Sequence, residues 1–277
     1  MVISEGEVRR FAGYLRSEEK SGATVEKYTR EAERFSAWLE GRAVTKELAV
    51  EYKGRLSETR TAAGVNGAVS ALNCLFAFLG LHGCRLKAAK VQRRVFRDEA
   101  RELTQAEYRR LLAAAKSRRD QRLLLVMEAI CSTGIRVGEL RFFTVEAVRL
   151  GRVEVSNKGK TRTVLLPGKL QKLLLRYARE RGVTAGPVFV TRGGRPLDRS
   201  NIWKDMKALC AAADVVETKV FPHNLRHLFA RCYYQLEKDI VRLADILGHA
   251  SVNTTRIYTM ESGEAHRRQL ERLKLVV

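Results

Sequence analysis

Along most of this chain, apolar residues recur at the three- and four-residue spacing of an amphipathic helix. Phe35, Trp38 and Leu39 form one such stripe. Only four prolines interrupt 277 residues, so few helices are broken from within. One short region departs from this spacing: β-type runs at 153–155 and 163–166 flank the turn sequence Asn-Lys-Gly-Lys. The pattern therefore predicts a mainly α-helical fold with a small antiparallel β-sheet.

A cationic segment divides the chain into two periodic regions. Residues 85–97 contain six lysines and arginines and no acidic residue, which is typical of an interdomain linker. We predict a helical domain over 1–84, a basic linker over 85–99, and a second domain over 100–277 that ends in a tail helix. The spacing predicts four helices in the first domain, at 4–19, 24–41, 45–58 and 62–81. In the second domain it also predicts a helix over 199–213 and a third strand at 188–190.

The fourth predicted helix is unusual because no Lys, Arg, Asp or Glu occurs between Thr61 and Cys84. We interpret it as the central helix of a small bundle. The alternative is that its apolar face contacts another protomer.

The charge balance indicates a polyanionic partner. The chain has 52 basic and 31 acidic side chains, a net charge of +21, and a protein this basic usually meets nucleic acid. Residues 101–277 carry 34 basic and 18 acidic side chains, so the second domain dominates the electrostatics. A surface that is merely solubilised remains the alternative.

Other classes of protein are disfavoured by the composition. The sequence shows neither a transmembrane run nor a secretory leader pattern. Its five cysteines are scattered and lack CxxC spacing, which argues against a disulfide framework or a zinc site. We therefore expect free thiols and a cytoplasmic location.

Two segments place basic side chains at breaks in the helical pattern. In CSTGIRVGEL, glycine ends one helix and sets Arg136 at the start of the next; the ordinary interpretation is a salt bridge to Glu139. In NKGKTR, Lys158 and Lys160 lie on a tight turn. Such lysines are usually solvated, but a turn can also place an ammonium group in a groove.

Two further segments carry histidines. In FPHNLRH, Pro222 suits the first position of a helix, and His223 and Arg226 then share one face. His223 and His227 also stand four apart, which raises a metal site, but no third ligand lies at the spacing that a metal motif needs.

In LGHASVNTTRIY, a glycine and a serine suit a helix end and a helix cap on either side of His249. Tyr258 would then lie on a short helix. Half-buried packing is the usual role of such a tyrosine.

Taken together and in this order, the segments TGIRVGEL, HNLRH and LGHASVNTTRIY resemble the tyrosine recombinase family, also called the lambda-integrase or Xer/Cre-like family. The resemblance extends over nearly the whole chain. It implies an amino-terminal, SAM-like core-binding domain of four helices and a carboxyl-terminal catalytic domain.

The resemblance also implies the chemistry. Members cleave one DNA strand by attack of tyrosine on a phosphodiester, which leaves a 3′-phosphotyrosyl link and a free 5′-hydroxyl. Tyr258 matches the nucleophile, and Arg136 and Arg226 match the arginines that stabilise charge on the non-bridging oxygens. Lys158 matches the general acid, with Lys160 as its rival.

The remaining site residues follow from the same match. His223 is assigned to proton exchange with Tyr258, and His249 to a hydrogen bond on a phosphate oxygen. Glu139 is assigned to the support of Arg136. With two arginines at the phosphate, we expect neither a metal ion nor ATP to be required. The expected contacts with DNA are Arg85, Lys87, Lys90, Arg93, Arg94, Arg97, Lys160 and Arg162.

The expected partners are two double-stranded DNA sites held by a homotetramer. Strand exchange between the two sites is expected to pass through a Holliday junction. The protein is expected to be associated with the nucleoid. The tail helix, with Leu270, Leu273 and Val276 at helical spacing, is expected to pack either on its own domain or on a neighbouring protomer. The sequence departs from the family in the fourth helix, where Gly67, Ala68 and Asn73 occupy places that often hold arginine. A second departure is Leu228, where threonine is usual.

Three alternatives remain open from the residues. The same site could nick and relax DNA as a type IB topoisomerase does. The protein could bind DNA without catalysis, although all six expected positions are filled. A metallohydrolase built on His223 and His227 is the weakest alternative.

Overall fold

The computed structural model describes residues 1–90, 99–157, 160–191, 193–260 and 263–275. The chain divides into two units, Met1–Arg93 and Arg94–Val277. Among the described residues, no helix is long and apolar enough to cross a membrane.

The first unit is built from four helices. They are α1 (Glu5–Ser17), α2 (Gly22–Leu39), α3 (Lys46–Thr59) and α4 (Ala62–Phe78). Each begins after a serine or threonine whose side chain accepts a hydrogen bond from the first turn, which satisfies one of the otherwise unpaired amides. The uncharged α4 packs against all three other helices, so it is the central helix of this bundle.

Asparagines on α4 hold the beginning of the predicted linker against the bundle. The Asn73 amide donates to the Leu86 carbonyl at 2.9 Å and accepts from the Leu86 amide at 2.7 Å. Asn66 makes the same pair of bonds with Ala89, at 2.9 and 2.8 Å. Leu86 itself is buried in the bundle core.

Lysines on α3 bind the same segment. Lys46 donates to the Arg85 carbonyl, and Lys53 donates to the Lys87 carbonyl at 2.7 Å. Asn73, which replaces a family arginine, is therefore used for backbone recognition inside this unit. Residues 85–89 of the predicted linker are anchored at both α3 and α4.

We predict that Asn66→Ala/Asn73→Ala releases this segment. The substitution leaves two backbone amides and two carbonyls without their side-chain partners, and each loss costs about 1 kcal/mol or more. Trypsin should then cut at Arg85, Lys87 or Lys90 at least tenfold faster, as followed by mass spectrometry. Asn201→Ala, on an exposed helix of the second unit, is the control. Unchanged cleavage at 85–90 would show that Leu86 and the lysines of α3 anchor the segment without these asparagines.

The second unit contains ten α-helices and one hairpin among its described residues. They are α5 (Gln105–Ser117), α6 (Gln121–Thr133), α7 (Val145–Arg149), β1 (Arg152–Asn157), β2 (Lys160–Leu165), α8 (Gly168–Glu180), α9 (Arg199–Lys207), α10 (Cys210–Ala213), α11 (Pro222–Glu237), α12 (Ile240–Leu247), α13 (Val252–Thr255) and α14 (Gly263–Arg272). Short 3-10 helices occur at Val137–Phe142 and Arg256–Tyr258.

The hairpin is antiparallel, with Arg152 opposite Leu165 and Asn157 opposite Lys160. The predicted mainly helical fold with a small antiparallel sheet is confirmed. The predicted third strand at 188–190 is wrong: within the described residues Val190 forms only an isolated bridge with Pro196. The single helix predicted over 199–213 is also wrong, because α9 and α10 are separate.

Two central helices of the second unit position the candidate site. Helix α6 lies against α11, and both contribute to one apolar core. Helix α6 ends at Gly134, which has a φ of +65°, and α11 begins at Pro222, whose missing amide hydrogen suits the first turn. The loop after α6 and the first two turns of α11 are thereby brought together.

Candidate active site

Arg226 lies at the centre of the candidate site, with its side chain 1% exposed. Its Nη1 donates to the Gly134 carbonyl at 2.5 Å, and its Nη2 donates to the Leu247 carbonyl at 2.8 Å. Burial and the nearby Arg136 lower the pKa of Arg226 to about 10, so the guanidinium keeps its charge at neutral pH. Its Nε finds no acceptor among the described residues.

His249 is held in one tautomer by two neighbours. Its Nε2 lies 3.0 Å from Nη2 of Arg226, and its Nδ1 lies 2.8 Å from Oγ1 of the fully buried Thr255. Because a guanidinium can only donate, Nε2 accepts and Nδ1 carries the proton. Burial, Arg226 and Arg136 lower the pKa of His249 to about 4, so the ring is neutral at pH 7.

Tyr258 lies at the end of the 3-10 helix Arg256–Tyr258 and is 5% exposed. Its ring stacks on His249 with centroids 6.1 Å apart. Burial raises the pKa of Tyr258, while interaction with the nearby Arg226 guanidinium acts in the opposite direction. A single guanidinium therefore bonds His249 and lies near the candidate nucleophile.

Glu139 joins two further arginines. Arg162 on β2 donates to both carboxylate oxygens, at 3.1 and 2.7 Å, and Arg136 donates through its Nη1 at 3.0 Å and its amide at 2.9 Å. Burial alone would raise the pKa of Glu139, but the bonds from Arg162 and Arg136 hold it below its usual value. The Arg136 side chain remains 36% exposed. Glu139 therefore orients Arg136 while leaving it accessible.

Arg162 is a positioning residue in this arrangement. It was expected to contact DNA, but its side chain is only 14% exposed and both terminal nitrogens bind Glu139. Sequence reasoning assigned it with Lys158 and Lys160 as one basic turn. Alternation of side chains along β2 could not have separated Arg162 from Lys160, because residues two apart lie on the same face of a strand.

Glycines permit the close approaches around Arg226 and Arg162. A Cβ at Gly134 would lie 2.5 Å from Phe229 and 2.9 Å from Leu247, and one at Gly248 would lie 2.6 Å from Cδ of Arg162. Both glycines have positive φ, at +65° and +63°, where a side chain is strained. A side chain at either position would displace the groups that surround Arg226 or Glu139.

His223 and His227 continue the aromatic contacts from Tyr258. The rings of Tyr258 and His227 meet edge to face at 5.0 Å, and those of His227 and His223 at 4.5 Å. Burial and Arg226 lower the pKa of His223, and burial and His223 lower that of His227 to about 3. The buried Nε2 of His227 has no hydrogen-bond partner among the described residues.

A cavity of about 750 Å³ opens at this cluster. It is lined by Arg136, Glu139, His223 and Arg226, together with three residues that the motifs did not indicate: Arg141, Arg199 and Trp203. Basic side chains at a cavity with a central arginine form an anion site. Arg141, Arg199 and Trp203 were missed as site residues because they lie outside the short motifs. Thr255 and His227 lie inside the motifs but were given no part in the reaction.

The structure does not describe several expected residues at this cluster. Arg93, Arg94, Arg97 and Lys158 lie outside the described residues, and only the backbone of Lys160, at the start of β2, is described. Arg85, Lys87 and Lys90 belong to the first unit. No group of three His, Cys, Asp or Glu side chains in the described part of the chain could hold a metal ion, so His223 and His227 lack a third ligand there.

Comparisons with known proteins agree with this geometry. Residues 101–264 match the profile of the phage integrase family. Tyrosine recombinase XerA of Thermococcus kodakarensis is 31% identical over 281 residues, covering 97% of this chain and 95% of the relative. A crystal structure of XerA recombinase aligns with a TM-score of 0.54 at 26% identity, covering 98% of this chain and 99% of that one.

A crystal structure of a lambda integrase tetramer bound to a Holliday junction aligns with a TM-score of 0.73 at 21% identity, covering 91% of this chain and 76% of that one. The fold, the arginine–histidine–tyrosine cluster and the relatives define one class. The chain belongs to the phage integrase family of tyrosine recombinases and is a site-specific recombinase. The resemblance drawn from the short segments is confirmed.

We predict that Gly248→Ala lowers the free energy of unfolding by about 1–3 kcal/mol, because the methyl group meets Arg162 and the backbone is strained. The measurement is urea denaturation. Gly138→Ala, beside Glu139 with no atom in the way, should change it by less than about 0.5 kcal/mol. In an Arg162→Ala background the Gly248→Ala penalty should shrink to about 1 kcal/mol, the backbone strain alone. An equal penalty in both backgrounds would contradict the contact with Arg162.

We also predict that His227 makes the protein less stable in acid. The pKa of His227 is 6.5 in the unfolded chain and about 3 in the folded protein. Between these pH values the unfolded chain binds a proton that the folded protein does not bind. The free energy of unfolding should therefore fall by up to about 1.4 kcal/mol per pH unit as pH decreases from about 6 to 4.

The test compares urea denaturation of the wild type and His227→Asn across this pH range. In the variant, the slope of the free energy of unfolding against pH should be smaller by the amount that one proton contributes. This difference does not depend on the variant's absolute stability. His82→Asn, at an exposed residue of the first unit, should keep the wild-type slope. Equal slopes in all three proteins would show that His227 titrates normally in the fold.

Proposed function

We propose that this protein cuts and rejoins double-stranded DNA at specific sites through a covalent bond between Tyr258 and a 3′-phosphate. One observation carries the proposal: the buried Arg226 bonds His249, whose ring stacks on Tyr258, and Glu139 binds the neighbouring Arg136. Such a set of fixed donors suits a phosphodiester whose transition state carries more charge than its ground state.

Arg226 and Arg136 bind the non-bridging phosphate oxygens. The Nε of Arg226 is buried and lacks an acceptor among the described residues, and a buried donor is stabilised when an oxygen reaches it. Arg136 supplies the second guanidinium from the wall of the cavity. His249 is neutral and carries its proton on Nδ1, while its Nε2 accepts from the same guanidinium. Its hydrogen bond to a phosphate oxygen requires the other tautomer, with the proton on Nε2.

His223 accepts the proton of Tyr258. Its lowered pKa keeps the ring neutral at pH 7, which is the form a general base requires. His227 contacts the rings of both Tyr258 and His223, and so sets their relative orientation. The charge of Arg226 stabilises the phenolate as it forms.

The steps balance without a metal ion or ATP. The Tyr258 oxygen forms a bond to phosphorus while the bond from phosphorus to the 5′-oxygen breaks. Lys158 gives that oxygen its proton, with Lys160 as the alternative donor. Because the phosphotyrosine retains the energy of the phosphodiester, a 5′-hydroxyl of the same or another strand can attack it and rejoin the DNA.

We propose that four copies act on two DNA sites. A lambda integrase tetramer of the same fold is bound to a Holliday junction, and this chain presents apolar side chains on its tail. Leu270, Leu273 and Leu275 are 55%, 58% and 80% exposed, which favours docking of α14 on a neighbouring copy over packing on its own unit. The basic linker would contact the DNA backbone, in the cytoplasm where nucleoid DNA lies.

We predict that Tyr258→Phe abolishes the covalent adduct. The substrate is a nicked suicide duplex made from the DNA that flanks the protein's own gene, and the adduct is scored on a denaturing gel. The wild type should form it in the presence of EDTA, because the arginines replace a metal ion. An adduct that persists in the Phe variant would remove Tyr258 from its role.

Two controls sharpen this experiment. A 5′-thiol leaving group departs without a proton, so it should rescue Lys158→Ala or Lys160→Ala, whichever has lost the acid. Adduct formation without strand exchange between two sites would favour the topoisomerase alternative. Binding without any adduct would favour a non-catalytic relative.

A further inference from the structure

The second unit carries a group of cations that the proposed reaction does not use. Two concave areas meet on this unit at the carboxyl-terminal end of α8. We call their combined face the distal basic surface. Its cations are the half-buried Arg122 and seven exposed residues, Arg118, Arg119, Arg149, Lys172, Arg176, Arg179 and Arg181.

The first concavity, of about 680 Å³, runs along α8 and is lined by Arg149, Lys172, Arg176 and Arg179 with no acidic residue. Lys172, Arg176 and Arg179 are spaced at four and three residues, so they share one face of the helix. They extend over about 10 Å of its axis. Each strand of a DNA duplex carries a phosphate every 3.4 Å of axis, so this row can face about three phosphates.

The second concavity, of about 710 Å³, is lined by Arg118, Arg119, Arg122 and Arg181 with Asp120 as its one acidic residue. Both concavities are lined in part by Val183 and are therefore neighbours. Together they present eight cations and one acid, whereas the whole chain has 52 and 31. The ratio of basic to acidic residues on this surface is therefore far higher than in the chain as a whole, which a merely solvated face of this protein would not show.

The second concavity lies away from Arg226. Helix α6 has its carboxyl-terminal end at Gly134, beside Arg226, and its amino-terminal end at Gln121. These ends are about 20 Å apart. Gln121 bonds Glu180 at the end of α8, and Arg122 lines the second concavity, so this concavity lies at the end of α6 opposite Arg226.

Few of these cations are neutralised within the protein. Arg176 is 3.9 Å from Glu180 and more than half exposed, and Arg181 lies over the ring of Tyr177. No ion pair of Lys172 or Arg179 occurs among the described residues. Exposed like charges at this density repel one another, and a bound polyanion relieves that repulsion.

We propose that the distal basic surface binds the backbone of a second segment of duplex DNA, separate from the strand at Tyr258. Seven of its eight lining cations are arginines, the side chain that best matches phosphate oxygens. DNA that flanks a bound site is tethered to it, so its effective concentration at this surface is high. An acidic protein is the competing partner. The proposal goes beyond strand cleavage, and it would hold even in a protein inactive at Tyr258.

The test measures the salt dependence of binding to a random duplex of about 40 base pairs by fluorescence anisotropy, since each neutralised phosphate adds about 0.9 to the slope of log K against log salt. Lys172→Glu/Arg179→Glu should lower the slope by about 2. Lys238→Glu/Arg242→Glu, an equal charge change at exposed residues of α11 and α12, should lower it by less than about 0.5. Unchanged slopes in both variants, or equal losses in both, would overturn the proposal.

Photocrosslinking locates the contact. Benzophenylalanine replaces Leu150, which is 70% exposed beside Arg149, or Leu236, which is 79% exposed on α11. Labelled duplex should crosslink from position 150, lose that crosslink in Lys172→Glu/Arg179→Glu, and crosslink at least fivefold less from 236. No DNA crosslink at 150, or its displacement by an oligoglutamate peptide but not by unlabelled duplex, would overturn DNA as the partner.

The two proposals fail separately. Tyr258→Phe should keep the full salt slope while losing the adduct. The Lys172→Glu/Arg179→Glu variant should keep adduct formation on a short duplex that covers only the cleavage site. Loss of that adduct in this variant would show that the surface serves the active site, and the inference of a second DNA segment would then be wrong.

Discussion

Burial of the Arg226 guanidinium is the constraint on which the rest of the site depends. A charge removed from water is costly unless fixed acceptors surround it, and here two backbone carbonyls and one imidazole nitrogen do so. Those acceptors come from the end of α6, the end of α12 and the loop after it. One side chain therefore ties together three segments that are far apart in sequence. The glycine conformations at 134 and 248 follow, because both helices must end where their carbonyls and neighbours can approach the guanidinium.

A second charged group, Glu139, connects this centre to the hairpin. Its carboxylate binds Arg162 of β2 and Arg136 of the loop after α6, so any change in the hairpin alters Arg136 through one residue. The arrangement explains why a chain this basic buries a carboxylate in its active site. Without Glu139, three arginines at 136, 162 and 226 would repel one another, and Arg136 would lose the bonds that fix its orientation.

Much of this was predictable from sequence, for reasons that differ between residues. Helix spacing and capping serines defined the four-helix unit, and the glycines and Pro222 marked where α6 ends and α11 begins. Arg226, Tyr258 and His249 were found because they lie in short, ordered motifs. The partners of Arg162 and Asn73 could not be predicted, because only the folded chain brings Glu139 and Leu86 near them. The prediction of a third strand at 188–190 was wrong because apolar β-branched residues also suit a buried loop.

The distribution of charge indicates how the molecule binds DNA. The orientation of the buried Arg226 is fixed by its bonds to two backbone carbonyls. A phosphate oxygen can therefore approach it from only one direction. Exposed arginines along α8 have no such fixed acceptors, so they bind a backbone without demanding one register. A protein with both kinds can hold one phosphate rigidly for chemistry while holding neighbouring DNA loosely enough to slide or bend. The buried arginine and the exposed arginines are separated along α6. Changes in the salt-sensitive contacts of the exposed arginines therefore do not disturb the rigid contact of Arg226 with its phosphate.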